Sequence, residues 1–203
     1  MTSQEIINKV RVIMNEAGEE EELHLLSEDT VKLDVYIDSV IPDAVNLILL
    51  LSPIYYINTA SSTIDVQNIN GAGVIDLPAD FLKLVAVKLK EWKRAVFMAY
   101  PLNSEEYNIQ HNSITRAGVN KPVCVLSYNV SGPTIECFPS GSMEYFSYIK
   151  SASTANNKGL DILKETLHLA VCYMCASLVY NIFEMPQIGE RMKSIAIDLI
   201  PKE

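Results

Sequence analysis

The stretch LDILKETLHLAVCYMCASLVYNIF, residues 160–183, decides how the rest of the chain is read. Leu163, Leu167, Val171, Met174 and Leu178 recur at three- and four-residue steps and predict one helix over the whole stretch. Leu169, Cys172, Tyr173, Ala176, Tyr180 and Phe183 take up most of the remaining circumference, so no polar face is left for water. A helix that is apolar all round has to be covered all round. Lipid is one possible cover, and the segment from Thr166 to Phe183 carries no formal charge. Yet His168, Ser177 and Asn181 interrupt it, clear basic flanks are lacking, and the length is the minimum for a span. The alternative is burial against the chain's own domain and a neighbouring subunit. That reading makes Leu169, Cys172, Tyr173, Ala176 and Tyr180 candidate interface positions.

Outward from this helix the pattern changes on both sides. After Pro186, the positions Ile188, Met192, Ile195 and Leu199 predict an amphipathic last helix. Upstream, residues 59–150 are short apolar pieces between Gly, Asn, Ser and Pro, the punctuation of a sheet. Asn70-Gly71 between residues 63–69 and 72–77 signals a hairpin. Residues 84–90 are expected to form a strand buried on one side only, with Val85, Val87 and Leu89 on one face and Leu84, Ala86, Lys88 and Lys90 on the other. A short helix is expected over residues 102–111, capped by Asn103 or Ser104 with Glu105 and Glu106 in its first turn. Residues 123–128 and 133–138 predict a second hairpin; if Tyr128 faces Pro133, Cys124 lies directly opposite Cys137. A further strand is expected over residues 144–150. Residues 2–17 and the run from Ser27 to Leu51 read as helices, the second either kinked or restarted at Pro42. The expected fold class is α+β: a helical bundle from residues 1–58 and 156–203, with an antiparallel β-rich module inserted at 59–155.

Sixteen Lys and Arg against 25 Asp and Glu leave a formal net charge of −9, which argues against generic nucleic-acid binding. Residues 1–30 hold eight acids and two bases, including the run of four glutamates at 19–22, which favours a solvated acidic segment. The N-terminus opens an amphipathic helix instead of a signal sequence. Four cysteines fit a reducing compartment better than a disulfide framework, although Cys124 and Cys137 are left open as neighbours or as a bonded pair.

Tests for catalytic chemistry yield little. His24, His111 and His168 have no local ligand partners, and Cys172-x-x-Cys175 lacks a second Cys or His pair, so its thiols read as packing groups. The nucleophile-elbow, phosphate-loop and dinucleotide patterns are missing. No metal or cofactor is expected, and no catalytic residue is named. A small soluble enzyme with a dispersed site and a protein attached to membrane through residues 160–183 stand as alternatives. The one basic cluster, Lys83, Lys88, Lys90, Lys93 and Arg94 around Trp92, reads either as a solvated strand face or as a docking patch for an acidic partner.

The ordered strings LPADFLKLV at 77–85, KEWKR at 90–94, PLNSEEY at 101–107 and TRAGVNKP at 115–122 give the chain a resemblance. With IPDAV at 41–45 before the sheet and the apolar helix after it, the sequence resembles the head-to-tail connector adaptor (ring) proteins of short-tailed bacteriophages, particularly of crAss-like and related Bacteroides phages. The resemblance implies a non-enzymatic virion protein at the head–tail junction, assembled in the host cytoplasm. It implies a homo-oligomeric, dodecameric ring beneath the portal protein that presents a platform for tail or further ring proteins. DNA would be cargo passing through the channel, and no membrane partner is implied. A cyclic ring needs a heterologous interface, and the basic cluster and the acidic N-terminal region are candidate opposites.

Overall fold

A computed structural model of the chain describes residues 1–17, 27–62, 64–112, 114–130 and 132–202. In chain order its helices and strands are α1 (Ser3–Ala17), α2 (Ser27–Leu51), β1 (Ala60–Ser62), β2 (Gln67–Ile69), β3 (Ala72–Asp76), β4 (Phe81–Leu89), β5 (Tyr100–Pro101), α3 (Glu105–Gln110), β6 (Val123–Asn129), β7 (Gly132–Phe138), β8 (Met143–Lys150), α4 (His168–Ile182) and α5 (Pro186–Asp198). The fold is α+β. Two compact units divide it: Met1–Asn58 with Lys150–Glu203, and Thr59–Ile149.

In the helical unit, α4 packs against α1, α2 and α5. Ile6, Val10, Ile37, Ile41, Ile48 and Leu49 are buried in its core along with most of α4. The helix α2 continues through Pro42, whose missing N–H would leave the carbonyl of Asp38 without its helical partner. Lys158 supplies a replacement: its ammonium donates to that carbonyl at 2.8 Å and pairs with the Asp38 carboxylate. A restart of the helix at Pro42 is therefore unnecessary.

The C-terminal helix begins at His168, well after the expected position at residue 160. Asn157, Lys158 and Gly159 all have positive φ, and Leu163 is extended. The extended segment forms an antiparallel bridge to Ile57, with Asn58 N–H donating to Ile162 C=O at 2.7 Å and Lys164 N–H to Tyr56 C=O at 3.0 Å. A pairing remote in sequence thus takes the backbone groups that a helix would have used.

The other unit holds two sheets, of strand order β1-β8-β4 and β2-β3-β7-β6-β5. The pairs β1–β8, β2–β3, β3–β7 and β6–β7 are antiparallel, while the two-residue β5 runs parallel to β6. The Asn70-Gly71 turn joins β2 to β3 with both residues at positive φ. In the second hairpin Tyr128 faces Pro133 and Cys124 faces Cys137, the register that its turn predicts. Ile75, Cys124, Ile135 and Cys137 of the larger sheet form one hydrophobic cluster with Val87, Leu89, Phe146 and Tyr148 of the smaller.

Three expectations need correction. Residues 63–69 do not form one strand: Ala60–Ser62 pairs with β8 and Gln67–Ile69 with β3, while Thr63 lies outside the described residues. In β4, Leu84 and Ala86 are buried as well as Val87 and Leu89, because both faces of the strand are covered. The chain re-enters the helical unit at Lys150 instead of at residue 156, as Asn46 of α2 accepts the Ala152 N–H at 2.8 Å and meets the Ser151 hydroxyl. The acidic run at 19–22 and His24 lie outside the described residues.

Candidate functional site

The helix that the sequence marks as an interface is enclosed by its own chain. Cys172, Ala176 and Tyr180 have no exposed surface, Tyr173 is half-buried, and Leu169 alone of the five is exposed, at 38%. The expected interface through Cys172, Ala176 and Tyr180 is therefore corrected: α1, α2 and α5 supply the cover that a second copy was to supply. Tyr180 donates its hydroxyl hydrogen to the Met14 carbonyl at 2.9 Å. Met14 lies in the last turn of α1, where carbonyls lack helical partners, so the all-round apolar helix also makes polar links to its own chain. Burial pushes the Cys172 thiol up to about 11 and the Cys175 thiol further, so both are inert packing groups. His168 is buried as well, with Nε2–H donating to Leu160 C=O at 3.1 Å and Nδ1 accepting from the Met1 amine at 3.2 Å. Because an ammonium only donates and a carbonyl only accepts, this pair of bonds selects one tautomer of the neutral ring.

Exposed apolar surface lies elsewhere in the helical unit, at the end of α2. Ile48 and Leu49 face the core, while Leu47 at 38%, Leu50 at 45% and Leu51 at 52% face outward. Ile54 at 39% and Tyr55 at 54%, on the short turn that follows the extended Pro53, are exposed as well. The run Ala44 to Leu51 is apolar throughout except for Asn46, and that was the available signal.

The basic cluster is divided by the structure. Lys88 is held by the Glu144 carboxylate, with oxygens at 2.9 and 3.0 Å, and is committed to an ion pair with the neighbouring strand of its own sheet. Lys83 is half-buried and, five residues away on the same strand, lies on the opposite face by simple alternation. Lys90, Lys93 and Arg94 are exposed and have no ion pair among the described residues. They flank Trp92, which is buried and donates its indole N–H to Pro139 C=O at 2.9 Å. Val96 bridges back to Val87 through paired 2.9 Å bonds, and the next two residues, Phe97 at 69% and Met98 at 60%, project outward. The result is a pinned loop that carries Lys93, Arg94, Phe97 and Met98 as a basic and apolar ridge. The two apolar members were not singled out in the sequence, where they sit inside the apolar stretch Ala95 to Tyr100.

Cys124 and Cys137 are free thiols with sulfurs 3.4 Å apart, and burial together with the neighbouring sulfur pushes the Cys124 thiol well up. Among the described residues no group of three or more His, Cys, Asp or Glu is arranged to hold a metal, and no helix is long and apolar enough to cross a membrane. No protein-family model matches the chain, and no curated protein matches its sequence.

Proposed function

We propose that this chain is a structural assembly protein whose copies form an adaptor ring between portal and tail of a short-tailed bacteriophage, around the channel through which DNA leaves. The observation that carries the reading is the presence of two chemically unlike exposed surfaces: the apolar end of α2 and the basic, apolar ridge at Lys93, Arg94, Phe97 and Met98. Contiguous exposed apolar residues mark contact surfaces. A closed ring is built from heterologous contacts, which need two different patches on each subunit, whereas a twofold dimer uses one patch twice. The strings at 77–85, 90–94, 101–107 and 115–122 add the resemblance to ring proteins, and the ridge lies within that stretch. The acidic balance suits a channel wall that DNA slides past without adhering.

In this reading the ring contact uses the α2 stripe in place of the α4 face. Electron microscopy of the chain mixed with its cognate portal tests it: a cyclic ring seated on the portal is expected, and a persistent monomer overturns it. Leu47→Glu with Leu51→Glu is expected to abolish assembly while leaving the far-ultraviolet circular dichroism of the monomer unchanged.

A further inference from the structure

A cleft of about 450 Å³ opens on the face of the five-stranded sheet that turns away from the shared core. The helix α3, N-capped by Ser104 at 3.3 Å from Tyr107 N, covers one end of this face, where Tyr107 and Ala117 pack on Ala72, Val125 and Phe138. The other end is polar. Register places Glu136 between Val74 and Val125, and Thr134 between Asp76 and Ser127 in the next row. Ser127 and Thr134 are 7% and 2% exposed, and neither hydroxyl has a hydrogen-bond partner among the described residues. Glu136 has no ion pair or hydrogen bond there either, although all three line the cleft. Neither oxygen is among the buried polar atoms left without a partner, so what little surface these two residues keep includes their hydroxyls, open to the cleft, and beside an unpaired carboxylate they offer a set of acceptors there. Tyr107 stands beside Glu136, and burial with that negative charge keeps its phenol protonated.

At the far wall Arg116 lies over the turn between β2 and β3. Its Nη1 is 3.1 Å from where a Cβ at Gly71 would sit, so the glycine at φ 82° makes the space it occupies. The guanidinium has no ion pair among the described residues. From Gly71 to Val74, level with Glu136, is three residues of strand, roughly 10 Å. An uncommitted cation and an uncommitted acceptor set thus face one cleft about an extended side chain apart.

We infer that this cleft binds a basic residue that carries a free α-carboxylate, with its side-chain guanidinium or ammonium on Glu136, Ser127 and Thr134 and its carboxylate on Arg116. The inference is independent of the ring reading. The same chemistry is offered by a free amino acid or by the C-terminal residue of a polypeptide. Calorimetric titration of the full chain with L-arginine, with agmatine, which lacks the carboxylate, and with the tripeptide Gly-Gly-Arg separates the cases. L-arginine is expected to bind saturably and at least tenfold more tightly than agmatine. Tighter binding of the tripeptide assigns a polypeptide C-terminus as the source; weaker binding assigns the free amino acid. E136Q is expected to weaken both arginine and agmatine about tenfold, and R116Q to weaken arginine alone. Thr134→Val, close to isosteric, gives the same readout if E136Q does not fold. Absence of saturable binding, equal affinity for arginine and agmatine, or indifference to E136Q and Thr134→Val overturns the inference.

Discussion

The hydroxyl of Tyr180 shows how one polar atom acts inside an apolar helix. It satisfies the Met14 carbonyl at 2.9 Å in a fully buried position. Tyr180→Phe keeps the ring but leaves that acceptor dry, and is expected to cost about 1–3 kcal/mol in urea denaturation. Other single residues set the alkaline limit. The Tyr148 hydroxyl, buried and donating to Asp80 at 2.9 Å, is pushed up from 10.0 to about 12, and Cys172 from 9.0 to about 11. Between these limits the unfolded chain has released protons that the native state retains, so stability falls as pH rises. The urea midpoint is expected to be level at pH 7–8 and to decline across pH 9–12. Tyr148→Phe should flatten the part of that decline above pH 10 and leave the part due to Cys172.

At the scale of elements, helix α2 and the segment that precedes α4 depend on each other. Pro42 leaves the Asp38 carbonyl open, and Lys158 reaches it from a left-handed backbone position at φ 55°. Lys158→Met removes both the hydrogen bond and the ion pair to Asp38, and a loss of about 1–2 kcal/mol is expected by thermal denaturation, little of it sensitive to salt. Gly159 is under a harder constraint: at φ 79° a Cβ would stand 2.5 Å from Ala152 Cβ and 2.7 Å from its Cα. Gly159→Ala is expected to destabilise by about 2 kcal/mol or more, because the backbone of Ala152 cannot swing aside as a long side chain would.

For the molecule as a whole, the two candidate contact surfaces differ in their physics. The stripe of Leu47, Leu50, Leu51 and Ile54 is apolar, so contacts made through it should tolerate salt and weaken on cooling. The ridge carries Lys93 and Arg94, so contacts made through it should weaken between 0.05 and 0.5 M salt as the Debye length shrinks. If the proposed ring assembly holds, sedimentation of the chain with a portal protein across salt and temperature is expected to separate the two, with Lys93→Glu and Arg94→Glu removing the salt-sensitive part. A salt response unchanged by those two substitutions would show that the ridge takes no part in assembly.

What could be read directly from the residues was the local, periodic part of the structure. The turn at Asn70-Gly71, the Ser104 cap, the pairing of Cys124 with Cys137 and the limits of α1 and α2 rest on forces acting within a few residues or on a two-residue alternation. The α+β order of helices, sheet and helices follows from the same patterns. Tertiary structure decided where α4 starts, since Ile57 and Leu163 pair across a separation in sequence that no window spans. It also decided which apolar surface stays outside. An apolar circumference states that cover is required, but whether α1 and α5 or a second copy provides it depends on packing in three dimensions, and here the chain encloses α4 and leaves the end of α2 exposed. The cleft was hidden for the same reason: Glu136, Thr134, Ser127 and Arg116 become neighbours only when strands and turn are assembled.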